Sequence, residues 1–511
     1  MKSKIILIGI LGMFLMSCGD DFLTIPSETA LTDDIFYETQ ADIEAAVNAV
    51  YAPLRALYTG SAATSNGANA AYIMGETHSD NARYIVNPLF RATENQEQVA
   101  DFIQQASNSV STFKYQQNYQ VIAAANKAIA TVDEAEIESE NTRSNLKGQA
   151  LCLRAFSYFD LVQYFGSVPL HLEPVTTFEG TALPLATTEE LFSQIIADLT
   201  QAIDLLPSKS NQADLGRVTK GSAQMILANV YMVQKNYAAA ETVLKEIVAS
   251  GEYALMADYA AVFDPANKNN SESVFEIQYR QGTDGYSSTF FYGMVPRPMD
   301  QSTVATLTSV GDPLPIADAT MCTPSPDLIA AYEDGDLRKD ATIDYAPDLY
   351  GKVFPFCKKY LHPHQYLNNT DDNWPVYRYA EVLLFLAEAI NEQGKPVSEA
   401  LSYINTPVGN GSVSIRERAG LEPIIAGSQE ELRDAIAQER RVELAFEAKR
   451  WLDLARTGKA VEVMSAYGAR VKADPAAYYF PTGYNPPASA FSQIDLVWPL
   501  PAAEAMYSPY F

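Results

Sequence analysis

The residues of this chain best suited to chemistry are aromatic, with 30 Tyr and 22 Phe against 3 Trp. One cluster joins Tyr286, Phe290, Phe291 and Tyr292 to Arg297; another joins Tyr72, Asp80, Asn81, Arg83, Tyr84 and Phe90. Flat rings beside Asn, Asp and Arg suit a sugar, whose ring offers an apolar C–H face and a fringe of hydroxyls. These residues are the candidate ligand contacts. Catalytic patterns are missing: there is no HExxH, no GxSxG and no Walker loop. Gly409-Asn410-Gly411-Ser412-Val413-Ser414 lacks the third glycine of a dinucleotide fingerprint. His362-Pro363-His364 has no acid or cysteine cluster to complete a metal site, and neither Asp33-Asp34 nor Asp371-Asp372-Asn373 resembles a calcium loop. Glycosidase carboxylates meet only in the fold, so spacing leaves them open. The expectation is a binding protein with no catalytic residue, metal or cofactor.

One thiol stands apart. Lys2 and Lys4 precede an uncharged apolar stretch, Ile5 to Met16, far short of the roughly 20 residues that span a bilayer. It runs into Leu15-Met16-Ser17-Cys18, which resembles the lipobox of bacterial lipoproteins. In those proteins the cysteine thiol is diacylglycerated, the signal is cut just before it and the new amine is acylated. More than one acyl chain makes such anchoring stable. Residues 1–17 are thus expected to be a signal peptide and 18–40 a lipidated tail. Gly19-Asp20-Asp21 resembles the export signal that sends Bacteroidetes lipoproteins to the outer leaflet of the outer membrane.

Composition narrows the partners. Apolar content of 47% and charged content of 19% fit a folded chain, and 511 residues allow a large core. Without residues 1–17 the chain holds 34 basic against 63 acidic side chains, a net of −29. Such a surface repels nucleic acid and other polyanions, since phosphate binding needs clustered Lys and Arg. Neutral ligands fit it better, with a local basic pocket as the alternative. After lipidation Cys152, Cys322 and Cys357 remain, an odd and sparse set that reads as small buried apolar groups.

The elements that position these groups are mostly helical. Helical periodicity runs from about Ala41 to Ser250 and again from Val376 to Gly458. Leu227-Ala228, Tyr231, Tyr237, Ala240 and Leu244 match the helix–turn–helix spacing of a tetratricopeptide repeat. Leu199 to Pro207 is a second trace, with Pro207 stopping a helix. Ser428 and Glu431 form a capping box that opens a helix expected to continue to Gly458, carrying an ion-pair ladder of Glu443, Glu447 and Arg450. Between Gly251 and Pro375 the chain turns Gly-, Pro- and Asn-rich, with one strand at Ser273 to Tyr279. Loops on a rigid scaffold are where binding resides. A shorter loop-rich stretch, Tyr58 to Glu97, interrupts the first helical region, and a Pro- and Tyr-rich tail closes the chain. The division expected is 41–280 for a helical region and 281–511 for a loop-rich insert with returning helices.

Taken in order, several segments resemble the SusD/RagB family of Bacteroidetes nutrient-uptake lipoproteins. They are the lipobox with Cys18-Gly-Asp-Asp-Phe-Leu; Arg154 to Leu170; Pro326-Asp327-Leu328 with Gly335-Asp336-Leu337-Arg338; and Tyr377 to Ala389. Arg416-Glu-Arg418-Ala419-Gly420-Leu421, Glu439 to Glu447 and Arg456-Thr-Gly458 complete the series. The resemblance implies a mainly α, SusD-like fold: an irregular tetratricopeptide-repeat scaffold with a loop-rich ligand face containing short strands. It also implies a surface-exposed, lipid-anchored protein that closes over a SusC-like TonB-dependent transporter and delivers mostly glycans. In relatives, ligand contacts come from the loop after the first helix and from loops before the Pro-Asp-Leu segment, where the two aromatic clusters lie. One departure matters. Trp374, Trp451 and Trp498 fall in or beside scaffold segments, which leaves no tryptophan platform. That leaves a Tyr/Phe-lined site, a non-glycan nutrient such as a peptide, or a transporter lid with little affinity of its own.

Overall fold

Side-chain caps mark where the helices begin. The computed structural model describes residues 37–59, 69–86, 94–177, 179–317 and 322–510; Cys18, its signal segment and Phe90 lie outside them. The first region is a succession of helices: α1 (Gln40–Thr59), α2 (Ser109–Thr131), α3 (Glu140–Phe165), α4 (Thr188–Leu205), α5 (Lys220–Val233) and α6 (Tyr237–Ala249). Asn108 caps α2, Ser139 caps α3 and Asn236 caps α6, while Thr187 with Glu190 and Thr219 with Ser222 form capping boxes on α4 and α5. Each helix packs on the next. Ala228 and Ala240 are wholly buried where α5 meets α6, as the repeat spacing requires. Leu206 turns extended before Pro207, because the residue before proline is excluded from the helical region.

The second region returns α7 (Tyr379–Glu392) against α6, with α8 (Val397–Asn405) and α9 (Gln429–Glu443) packed on α7, followed by α10 (Arg450–Arg456) and α11 (Ala460–Ala473). Between the regions lie β1 (Ala82–Tyr84), β2 (Ser273–Ile277), β3 (Cys322–Pro324), β4 (Ile343–Pro347), β5 (Val353–Cys357) and β6 (Trp374–Arg378). They pair antiparallel as β1–β3, β2–β6 and β4–β5. The β2–β6 pair sets Ser273 opposite Arg378 and Ile277 opposite Trp374, stitching the two helical regions over one hydrophobic core. The second helical region therefore starts at Tyr379 and not Val376. The Tyr58–Glu97 stretch is also more regular than expected. Tyr58 and Thr59 close α1, and Ala70–Tyr72, a π turn at Ile73–Thr77 and β1 form a buried run. The three cysteines are free and buried.

The expected helix from Ser428 to Gly458 is broken. Ser428 caps α9 by accepting from the Glu431 N–H, but α9 ends at Glu443 and α10 begins at Arg450. Phe446 and Ala448 between them adopt left-handed backbone (φ 65° and 61°). Such a conformation costs roughly 1–3 kcal/mol per non-glycine residue, so the carbonyls and amides it frees must find strong partners. They do. The Arg378 guanidinium donates to the Glu443 carbonyl at 3.0 Å, Lys359 to the Ala445 carbonyl at 2.7 Å and Tyr360 to the Phe446 carbonyl at 3.0 Å. The Phe446 N–H donates to the Glu76 carboxyl at 2.9 Å.

The ion-pair ladder is likewise not along one helix face. Glu443 is fully buried and pairs with Arg338, Arg378 and Arg418; Glu447 pairs with Arg378 and Lys359; Arg450 reaches Asp80. Glu272 bridges Arg378 and Arg418 from the turn just before β2, and Glu439 bridges Arg338 and Arg416. Burial alone would push the Glu443 carboxyl up, but the three guanidiniums outweigh it and hold it well below the carboxylate range. This charged centre fixes the strands and loops between the helical regions.

Candidate functional site

Most of the predicted contact residues lie inside the protein. Tyr72 is buried between Trp374 and Phe446. Asp80 pairs with Arg441 and Arg450, and Asn81 donates to Glu76 at 2.8 Å and accepts from Arg441 at 2.9 Å. Arg83 pairs with Asp101 at 2.5 Å, and the Tyr84 hydroxyl donates to the same carboxylate at 2.6 Å. Phe290, Phe291 and Tyr292 form a short buried turn. Tyr292 hydrogen-bonds His364, and Arg297 donates to the Tyr292 carbonyl. All but Arg297 are almost wholly shielded from solvent, so their rings present no face to a ligand in this structure. The reason is local: Ala-Ala-Tyr-Ile-Met and Phe-Phe-Tyr are apolar runs, and the core takes them. All three tryptophans are buried too.

Tyr286 is the exception, 44% exposed. It sits where three segments meet. The 280–289 loop closes on itself through the Arg280 N–H donating to the Tyr286 carbonyl at 2.8 Å. It is tied to the 362–372 loop by Gly282 and Asn369, by Gln281 and Gln365, and by Ser288 and Thr370. It is tied to the end of α1 by the Thr289 N–H donating to the Thr59 hydroxyl at 3.0 Å. From α1 the Arg55 guanidinium lies 4.6 Å from the Tyr286 ring centroid, and Arg280 lies 5.7 Å from it. Tyr366, from the adjoining loop, is exposed to the same degree as Tyr286. The β4–β5 hairpin tip, with Leu349 and Tyr350 exposed, is joined to this loop system by the Leu349 N–H donating to the Pro298 carbonyl at 2.8 Å.

The result is a tied aromatic and guanidinium surface. It can stack, and it can donate hydrogen bonds. Among the described residues no group of histidines, cysteines and acids is placed to hold a metal ion. Arg55, Arg280 and Tyr366 were missed from sequence. Arg280 had a signal, since it opens the Gly-rich turn that leads to Tyr286. Arg55 had none, because it is one polar position on a long amphipathic helix. A separate concavity of about 590 Å³ lies between α2, the 169–183 loop and residues 504–508, lined by Tyr115, Tyr119, Gln116, Gln120, His171 and Glu504. It shares no residue with the Tyr286 surface.

Comparison with known proteins decides the kinship. Residues 22–232 match a family described as starch-binding and associating with the outer membrane, and residues 350–510 match the SusD family. The chain belongs to the SusD/RagB family. SusD-like protein P25 of Formosa agariphila is 27% identical, over 91% of this chain and 92% of that protein. Two solved structures share the fold: surface glycan-binding protein A from Bacteroides uniformis and a laminarin-binding SusD-like protein. The first superposes with a TM-score of 0.73 at 23% identity over 93% of this chain and 99% of the other. The second gives 0.72 at 24% over 92% and 98%. The mainly α SusD-like fold read from sequence is the fold found. Four of the segments that carried the SusD/RagB resemblance supply the charged centre: Arg338, Arg378, Arg416, Arg418, Glu439, Glu443 and Glu447 all belong to it.

Proposed function

We propose that this chain is a non-catalytic cell-surface lipoprotein, anchored through Cys18, that captures an oligosaccharide-like nutrient and delivers it to a SusC-like TonB-dependent transporter. The observation that carries the reading is Tyr286: an exposed ring on a loop pinned to α1 and to the 362–372 loop, with hydrogen-bond donors beside it. The names of relatives that bind glycans and laminarin support the ligand class. A few aromatic and hydrogen-bonding contacts correspond to micromolar to millimolar affinity, about 4–8 kcal/mol. Affinity gels and calorimetry across a glycan panel test it. Tyr286→Ala should weaken binding tenfold or more, and unchanged binding would remove the site from this surface. Anchoring is tested apart, by Cys18→Ala, which should release the protein from the membrane.

A second reading is a transporter lid with little ligand affinity of its own. The exposed hairpin tip of Leu349, Tyr350 and Val353 and the burial of every tryptophan favour it. Co-purification with a transporter, without measurable glycan binding, would select it.

A further inference from the structure

The arginines of this protein are matched to oxygen almost without exception. Even part-exposed Arg433 and Arg470 reach carboxylates, Glu392 at 2.6 Å and Asp327 at 2.5 Å. Arg55 does not. Among the described residues its guanidinium meets no carboxylate and no carbonyl, only the ring of Tyr286. In a chain with 63 acidic against 36 basic side chains, such an arginine is a local reversal of the protein's charge. The acids of the same surface do not neutralise it. Asp284 pairs with Arg280, Asp371 with Lys268 at 2.8 Å, and Asp372 with His362. Each therefore has its own partner, and among the described residues the surface keeps one positive charge, Arg55, with no acid against it beside its exposed ring.

Resting on the Tyr286 surface as the binding site, we propose that its ligand is an acidic oligosaccharide, carrying carboxylate or sulfate groups. A guanidinium can lie flat on a tyrosine ring while its edge donates two parallel hydrogen bonds to a planar carboxylate or to two sulfate oxygens. The exposed remainder of Tyr286 meets the apolar C–H face of the sugar that bears the acid. Arg280, with 69% of its side chain exposed, is the second donor. A neutral sugar would leave the Arg55 charge with no use, since amides and hydroxyls serve hydroxyl groups equally well. An acidic peptide could pair with Arg55 but has no such C–H face to set on Tyr286.

Matched polysaccharides separate charge from sugar: pectate against fully methyl-esterified pectin, and dextran sulfate against dextran. Affinity electrophoresis and calorimetry of the full chain should show the acidic member of at least one pair bound about tenfold more tightly than its neutral counterpart. Arg55→Gln should erase that difference, Arg55→Lys should keep part of it, and Tyr286→Ala should weaken acidic and neutral members alike. Equal affinity within both pairs, binding of neither acidic member, or polyglutamate bound as tightly as the glycans would overturn the proposal. If Tyr286→Ala weakens binding while Arg55→Gln changes nothing, only the charge preference falls. If neither variant alters the binding of a retained glycan, the site lies elsewhere and both readings fall together.

Discussion

Arg378 and Arg55 show one residue type in opposite surroundings. Arg378 is fully buried and bonds Glu272, Glu443 and Glu447; Arg55 is half-buried near the end of α1 and bonds no acid among the described residues. Taking a guanidinium out of water is costly, and only close carboxylates offset the cost. The centre therefore holds as a unit, because each charge is needed by the others. The Tyr286 surface has no such mutual dependence. Its residues can change without the fold noticing, which is the condition under which a ligand can be selected.

The largest effect should come from breaking the centre. Arg378→Gln or Glu443→Gln takes one charge out of a buried network and leaves the charges facing it one partner short, and about 3–5 kcal/mol of stability should be lost in urea unfolding. A loss under about 1 kcal/mol would mean that water already reaches these groups. Acid should act in the same direction. Glu443 is held well below the ordinary carboxylate range, and Asp453, beside Arg440 and Arg456, is brought down to about 2 against the pull of burial. Their stabilisation is present above the unfolded carboxylate value near 4 and is lost as pH falls through the lower folded values.

Glu76 makes the opposite case a few residues away. Its carboxyl is fully buried, takes bonds from the Phe446 N–H and from Asn81, and has no cation in bonding contact among the described residues. Burial pushes it up to about 7. Between the unfolded value near 4.5 and pH 7 the folded chain binds the extra proton, so this group's effect on stability turns unfavourable as pH rises. Glu76→Gln should match the native protein near pH 5 and exceed it above pH 8, by up to roughly 3 kcal/mol from the size of the shift. A pH-independent difference would contradict the buried, protonated state.

A smaller effect tests how the broken helix is held. Gly75 lies in the π turn against the 444–449 break, and a Cβ there would stand 2.5 Å from the Ala448 carbonyl oxygen. Gly75→Ala should cost about 1–3 kcal/mol, the range for overpacking a tight contact, read by thermal or urea unfolding. No cost would mean that the break can shift.

This break also marks what the sequence could and could not reveal. Periodicity and caps placed α5, α6 and the start of α9, because those signals are local and each segment carries its own. Ala445-Phe446-Glu447-Ala448-Lys449 contains no helix breaker, so nothing local announces the turn. Its cause lies in distant partners, Lys359, Tyr360 and Arg378, which take the carbonyls it releases. Burial in the candidate site was hidden in the same way. Phe290, Phe291, Tyr292 and Tyr286 look alike in a list of aromatics, and only packing shows that the first three fill the core. Tyr286 differed in one legible respect, following Gly282 and Gly285 in a turn that an apolar core would not supply.

The smallest expected change in stability is the sharpest test of the contrast. Tyr286→Ala and Arg55→Gln remove a half-exposed ring and an arginine with no ionic partner. Each should move unfolding free energy by no more than about 0.5 kcal/mol, as surface substitutions do. The Tyr286 ring takes a cation–π contact from Arg55, worth about 0.5–1 kcal/mol when exposed, but a mobile guanidinium regains most of that in water. If either variant destabilised the chain as Gly75→Ala does, the pair would be part of the scaffold. A variant as stable as the parent but blind to ligand shows instead that folding and recognition use arginine in two separable ways.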